Sequence, residues 1–322
     1  MKKLAAILML VLIASFPMES LAVENVLDIS TKHTFQHEDT LIRYRMILPA
    51  DYSTEKTYPL MLYLHGEEDA ANNNVTQLRS CVQHIANVMT DTIIIVPQSG
   101  EGNQWVDVPV GQETYSIDEV PESNELAAIM LLLSDLQKEY SVDTDRMYLC
   151  GASMGAYGVW DLMARHPETF AAGIAIAGVG DISQAETFKN IPMFVFHGRQ
   201  DIVVPVSAVQ NFVQSIIDAG GEQIRYFESE TAGHQVANSA ITKYDVLETL
   251  TTYRLSDRLT KQGLEEEESI EKNDSSSEKG VEVVQDAGIV RAPSQTVLII
   301  YVSVIVVIVG IPVIFIARKK RR

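Results

Sequence analysis

Between residues 23 and about 258, short apolar runs alternate with amphipathic stretches. Runs with the pattern of strands fall at Leu41 to Leu48, Leu60 to Leu64, Thr92 to Val96, Arg146 to Cys150, Gly173 to Ala177, Met193 to His197 and Gln223 to Phe227. Between them, Val75 to Met89, Ser123 to Tyr140, Met154 to Arg165, Val206 to Ala219 and Ala240 to Tyr253 carry apolar residues at three- and four-residue spacing, as helices with one buried face do. Strands alternating with helices predict an α/β fold, a mainly parallel central sheet with helices on both faces. Covering both faces also accounts for the nearly unbroken apolar runs at Leu60 to Leu64 and Ile93 to Val96. In such sheets reactive groups gather in the loops that leave the carboxyl ends of the strands.

The two ends break this alternation. Residues 1–22 read Lys2-Lys3, an apolar run from Leu4 to Phe16, then Ser20-Leu21-Ala22, the order of a secretory signal peptide cleaved after Ala22. Residues 296–317 are apolar apart from a few hydroxyl side chains, long enough to cross a hydrocarbon core of about 30 Å. The basic cluster Arg318-Lys319-Lys320-Arg321-Arg322 follows and belongs on the cytoplasmic side. The expectation is a cell-membrane protein with one C-terminal transmembrane helix and its catalytic domain, residues 23–260, extracellular.

Charge sharpens that division. The net charge of −18 includes +1 in the leader and +5 in the basic tail, so the remainder carries −24. An acidic surface of that size argues against nucleic acid and anionic lipid as partners. Much of it lies in residues 261–295, where Glu265 to Glu268 and Ser275 to Ser277 read as an acidic, self-repelling stalk. Of the two cysteines, Cys150 ends an apolar strand and reads as a small buried hydrophobe rather than half of a pair with Cys81. The seven histidines lack metal-ligand spacing and no Cys-x-x-Cys occurs, so no metal is inferred.

The sharpest chemical signal is Gly151-Ala152-Ser153-Met154-Gly155, with the strand Met147 to Cys150 before it and a helical stretch after it. A serine on a tight strand-to-helix turn has strained backbone angles, and the residues two before and two after it must be small. Such a serine needs a histidine to take its proton and a carboxylate to fix that histidine's tautomer. Three histidines follow Ser153. His166 lies along the next helix, His197 ends an apolar strand, and His234 sits on a loop after the last strand, which makes it the candidate base. Asp201, just past the strand that ends at His197, is the candidate acid, with Asp181 and Glu228 as competitors. The oxyanion of an acyl transfer needs two donors, for which the N–H groups of Met154 and Glu67 are the candidates, the second in the loop opened by His65-Gly66. Trp105, in the loop after the strand ending Val96-Pro97, is a candidate platform for a sugar ring or aromatic acyl group.

Together, His65-Gly66, Gly151 to Gly158 with Trp160, His166-Pro167, His197-Gly198 with Asp201, and Gly233-His234 resemble the secreted esterase and polyhydroxybutyrate-depolymerase-like branch of the α/β-hydrolases over residues 35 to 255. The resemblance implies a Ser153-Asp201-His234 triad, an oxyanion hole at Met154 and Glu67, substrate contacts at His65 and Trp105, and no cofactor. It implies ester substrates such as acetylated or feruloylated polysaccharides, short-chain esters or polyesters. The chain departs from the pattern after Gly66. Relatives continue with small residues, whereas here Glu67-Glu68-Asp69 puts carboxylates at the pocket rim and disfavours anionic substrates. Two further readings stay open: a serine peptidase of the prolyl-oligopeptidase kind, which shares this domain, and an inactive hydrolase-like surface binding module.

Overall fold

The computed structural model describes residues 25–243 and 245–263. The expected leader, most of the stalk, the transmembrane helix and the basic tail lie outside the described residues. Among those described, no helix is long and apolar enough to cross a membrane. Residues 255–263 are helical, so the first residues assigned to the stalk continue a helix.

Eight strands form one sheet: β1 (Thr31–His37), β2 (Thr40–Ile47), β3 (Tyr58–Leu64), β4 (Ile93–Gln98), β5 (Val142–Ala152), β6 (Ala172–Ile176), β7 (Met193–Gly198) and β8 (Ile224–Ser229). Their order is β1-β2-β4-β3-β5-β6-β7-β8. The pairs β1–β2 and β2–β4 are antiparallel, and every other pairing is parallel. Before the helical residues 255–263 come α1 (Val26–Ile29), α2 (Val82–Val88), α3 (Asn124–Glu139), α4 (Met154–Arg165), α5 (Ala185–Phe188), α6 (Val206–Asp218), α7 (Ala237–Lys243) and α8 (Val246–Leu250).

Alternation along the buried strands builds two apolar layers, one on each face of the sheet. Leu60, Leu62, Leu64, Met147 and Leu149 face a layer completed by α3, α4 and α6. Met61, Tyr63, Tyr148 and Cys150 face the other, completed by α2, α7 and α8. Within the first layer Trp160 of α4 meets Phe188 and Phe212 edge-on, with ring centroids 4.9 and 4.8 Å apart. Its indole N–H donates to Gly178 O at 3.3 Å. This cluster fixes α4, and with it the serine at its start, against the sheet.

Three elements differ from expectation, each for a local reason. The strand β1, Thr-Lys-His-Thr-Phe-Gln-His, is an edge strand without a fully buried residue, so it carries no apolar run to detect. The predicted helix at Val75 to Met89 is a 3-10 turn at Thr76–Leu78 followed by α2, because Ser80 stands at φ +60° between them. The predicted helix at Ala240 to Tyr253 is α7 and α8, separated at Asp245, whose ψ of 48° is not helical. Both cysteines are free and buried.

Trp160→Ala empties the centre of the α4–α5–α6 cluster and is expected to cost about 3–5 kcal/mol of unfolding free energy. Urea denaturation followed by circular dichroism checks this, with the midpoint moving to lower urea.

Candidate active site

Ser153 sits between β5 and α4 with φ 54° and ψ −121°, a left-handed conformation that a non-glycine residue adopts only when its surroundings impose it. The turn is held from two sides, by the Ser153 N–H donating to Ile176 O at 2.8 Å and the Ala156 N–H donating to Ser153 O at 2.8 Å. It closes only because its flanks are bare. A Cβ at Gly151 would collide with Gly155 O, and one at Gly155 would collide with Leu64 O at the end of β3. The strained backbone turns the serine side chain out of the sheet toward a cavity.

His234 is brought to it by a second close approach. The loop after β8 lies against the end of β7, where a Cβ on Gly198 would strike the carbonyls of Gly233 and Ala232. The Gln200 N–H donates to Ala232 O at 2.9 Å and ties the two loops together. The Ser153 hydroxyl then donates to His234 Nε2 at 2.7 Å, and His234 Nδ1–H donates to Asp201 Oδ2 at 2.8 Å. Asp201 Oδ1 accepts from the N–H groups of Val203 at 2.8 Å and Val204 at 3.0 Å. Burial pushes the Asp201 carboxyl up, but the hydrogen bonds from His234, Val204 and Val203 outweigh it and hold its pKa below the usual value. An ionised carboxylate at Nδ1 fixes the tautomer whose free Nε2 lone pair faces the serine.

The competitors are occupied elsewhere. Asp181 accepts from Ile117 and Ser183 N–H groups, both at 2.9 Å, and Glu228 accepts from Gln210 and Tyr226 at 2.6 and 2.8 Å. His166 pairs with Glu122 at 2.8 Å. His197 is fully buried beneath the site, donating through Nε2 to Val204 O at 3.0 Å and lying 3.4 Å from Asp201 Oδ2. Burial lowers its pKa, so it braces the acid loop as a neutral ring.

Met154 opens α4, so its N–H has no acceptor within the helix. The Gly66–Glu67 loop lies against the serine, since a Cβ on Gly66 would stand 3.4 Å from Ser153 Cβ. The start of α4 and the Gly66–Glu67 loop thus both adjoin Ser153. The expectation for His65 and Trp105 is corrected. Neither is exposed at all, and neither lines the cavity that contains Ser153. His65 Nδ1–H donates to Gly66 O at 2.7 Å, and its Nε2 accepts from the Ser99 N–H at 3.0 Å. Burial takes its pKa down to about 4, so the ring is neutral. Trp105 stacks edge-on against it at 5.1 Å and donates to His65 O at 2.9 Å. The two rings brace the Gly66–Glu67 loop from behind and do not face a substrate.

The cavity in front of Ser153 has a volume of about 210 Å³. His234 and Ser153 line it together with Glu67, Glu68, Asp69, Tyr63 and Ser80. Tyr63 and Ser80 had no distinguishing signal in the sequence; the nearest to one was a tyrosine inside the otherwise aliphatic run of β3. Among the described residues no group of three or more His, Cys, Asp or Glu is placed to hold a metal ion.

These geometries can be set beside known proteins. Residues 38–256 match a family model described as "Putative esterase". The chain belongs to this esterase family. It is similar to the bifunctional acetylxylan esterase/xylanase XynS20E of Neocallimastix patriciarum, 24% identical over 160 residues that cover 50% of this chain and 22% of that protein. It is also similar to dipeptidyl-peptidase 5 of Porphyromonas gingivalis, 29% identical over 139 residues that cover 42% of this chain and 19% of that protein. The match thus spans about a fifth of the length of these curated relatives. The solved structure of a thermostable esterase superposes with a TM-score of 0.62 at 28% identity, covering 71% of this chain and 64% of that one. The mostly parallel eight-stranded sheet is an α/β-hydrolase-like fold.

Asp69 gives a prediction of its own. Burial, with Glu68 adding to it and Arg79 opposing it, raises its carboxyl from 3.8 to about 6. A carboxyl whose pKa is higher folded than unfolded destabilises the fold where it is ionised, so the penalty is full above about pH 6 and gone below about pH 4. Asp69→Asn is expected to raise stability by about 1–2 kcal/mol at a pH of about 8, a Tm increase of about 2–6 °C. Melting curves across pH should show that gain vanish on acidification.

Proposed function

We propose that this protein is a serine carboxylic ester hydrolase working through an acyl-enzyme. Ser153 attacks the ester carbonyl while His234 takes its proton, and Asp201 orients His234 and stabilises its cationic form. The Met154 and Glu67 N–H groups receive the oxyanion of the tetrahedral intermediate. His234 then gives its proton to the leaving alcohol and, in the second half, activates the water that releases the acid. The observation that carries this reading is the unbroken hydrogen-bond row from Ser153 Oγ through His234 to Asp201, at 2.7 and 2.8 Å, opening on a cavity.

A short-chain or carbohydrate-linked ester is the proposed substrate class, supported by the modest cavity and by the acetylxylan esterase named among the relatives. The proposed setting is the outer face of a cell membrane. The leader at residues 1–22 would export the chain, the apolar segment 296–317 would hold it, residues 261–295 would space the domain from the lipid, and the basic tail 318–322 would stay in the cytoplasm.

The test is a fluorophosphonate probe applied to membranes carrying the full chain. Labelling is expected in the membrane fraction and is expected to vanish in Ser153→Ala. Asp201→Asn, which permits the wrong histidine tautomer, should lower kcat/KM for p-nitrophenyl acetate by roughly a thousandfold or more. A folded wild-type protein that takes up no probe would overturn the reading.

A further inference from the structure

The cavity at Ser153 is unusual in what its polar groups lack. Glu67, Glu68 and Asp69 line it, and none of its lining residues is a lysine or arginine. Glu67 and Glu68 are exposed and solvated, as rim carboxylates are, and alone they would signify little. Two deeper groups in the same lining are different. Asp69 Oδ1, on a residue 2% exposed, makes no hydrogen bond, and the Tyr63 hydroxyl, on a residue 0% exposed, has only the Ser80 hydroxyl and the Cys81 thiol beside it.

Buried polar groups without partners are rare and call for a partner that is absent or for a function. Arg79 makes a long ion pair with Asp69 Oδ1 at 3.7 Å, from a side chain 67% exposed to solvent; it lies beyond hydrogen-bond distance and does not line the cavity. The carboxyl is raised to about 6 by that burial, which marks a site where the charged form waits for compensation. Other titratable groups around Asp69 are Glu67 and Glu68 on its own loop, Tyr63 on β3 and His234 on the loop after β8.

What would compensate it follows from donor counting. Asp69 offers an acceptor with negative charge, and the Tyr63 and Ser80 hydroxyls offer lone pairs in the same lining. A metal ion is a poor match, because among the described residues no three side chains of ligating type are grouped to hold one. A primary ammonium supplies one positive charge and three N–H donors, which suits one carboxylate and two hydroxyl oxygens.

We propose that Asp69, Tyr63 and Ser80 form a subsite for an organic ammonium group, so that the ester accepted at Ser153 carries a primary amine. The binding of the ammonium stands on the cavity itself; its meaning as a substrate class rests on Ser153 being the nucleophile. The subsite would use the stability sacrificed by burying Asp69 to select one charge of substrate over another.

The experiment uses the full chain in detergent at mildly alkaline pH, with p-nitrophenyl acetate as a neutral reporter ester. Ethyl- through hexylammonium are compared as inhibitors with the alcohols of the same chain length. At least one ammonium should inhibit competitively at about tenfold lower concentration than its alcohol, the size of one charge-assisted hydrogen bond. Asp69→Asn should erase that preference, and Tyr63→Phe, which removes only a hydroxyl, should reduce it by a smaller factor. Equal inhibition by ammonium and alcohol throughout the series, or a preference untouched in Asp69→Asn, would overturn the proposal. Calorimetric titration of hexylammonium into Ser153→Ala keeps the two readings apart. Binding there, with no ester cleavage by the wild type, would uphold the subsite and sink the nucleophile. Cleavage without ammonium preference would do the reverse.

Discussion

The backbone of Ser153 stands where a side-chain-bearing residue costs about 1–3 kcal/mol, and the rest of the site depends on that cost being met. Three neighbouring strands meet it. β5 delivers the serine, β6 accepts its N–H through Ile176 O, and the end of β3 packs so closely that Leu64 O leaves no room for a Cβ on Gly155. The apolar layers on both faces of the sheet hold those strand ends in place, so core packing is converted into a fixed direction for one hydroxyl. The same closeness brings the Gly66–Glu67 loop, the proposed second oxyanion donor, beside the serine without any further device.

Two buried carboxylates near that serine show how partners decide chemistry. Asp201 and Asp69 are both largely withdrawn from water, which by itself favours the neutral acid. Asp201 accepts from His234, Val203 and Val204 and stays below its ordinary pKa, as an orienting carboxylate must. Asp69 Oδ1 accepts from nothing and its carboxyl rises to about 6. Environments that push like groups apart assign them different work. One is proposed to hold a base in position, and the other to meet a cation brought by the substrate.

Much of this was legible in the residues, for physical reasons. The parallel strands are nearly continuous apolar runs because both faces are covered, and α4 agrees with its expected bounds because its glycines and apolar positions serve packing and turn at once. Ser153, Asp201 and His234 were placed in order at strand ends, and the structure brings them within hydrogen-bond reach. The edge strand β1 escaped notice because only antiparallel pairing with β2 defines it. His65 and Trp105 were misjudged because a residue beside a catalytic loop can face the site or brace the loop from behind, and only packing separates the two. Tyr63 was invisible for the same reason: a strand residue's hydroxyl gains meaning only from the groups packed around it.

The central claim is that Ser153, its histidine and two backbone donors form one acyl-transfer centre. A crystal structure of the phosphonylated protein tests it most directly. The account predicts a covalent bond from Ser153 Oγ to phosphorus, with one phosphonyl oxygen about 2.7–3.1 Å from the N–H groups of both Met154 and Glu67. An adduct on another residue, or a phosphonyl oxygen turned away from those donors, would contradict it.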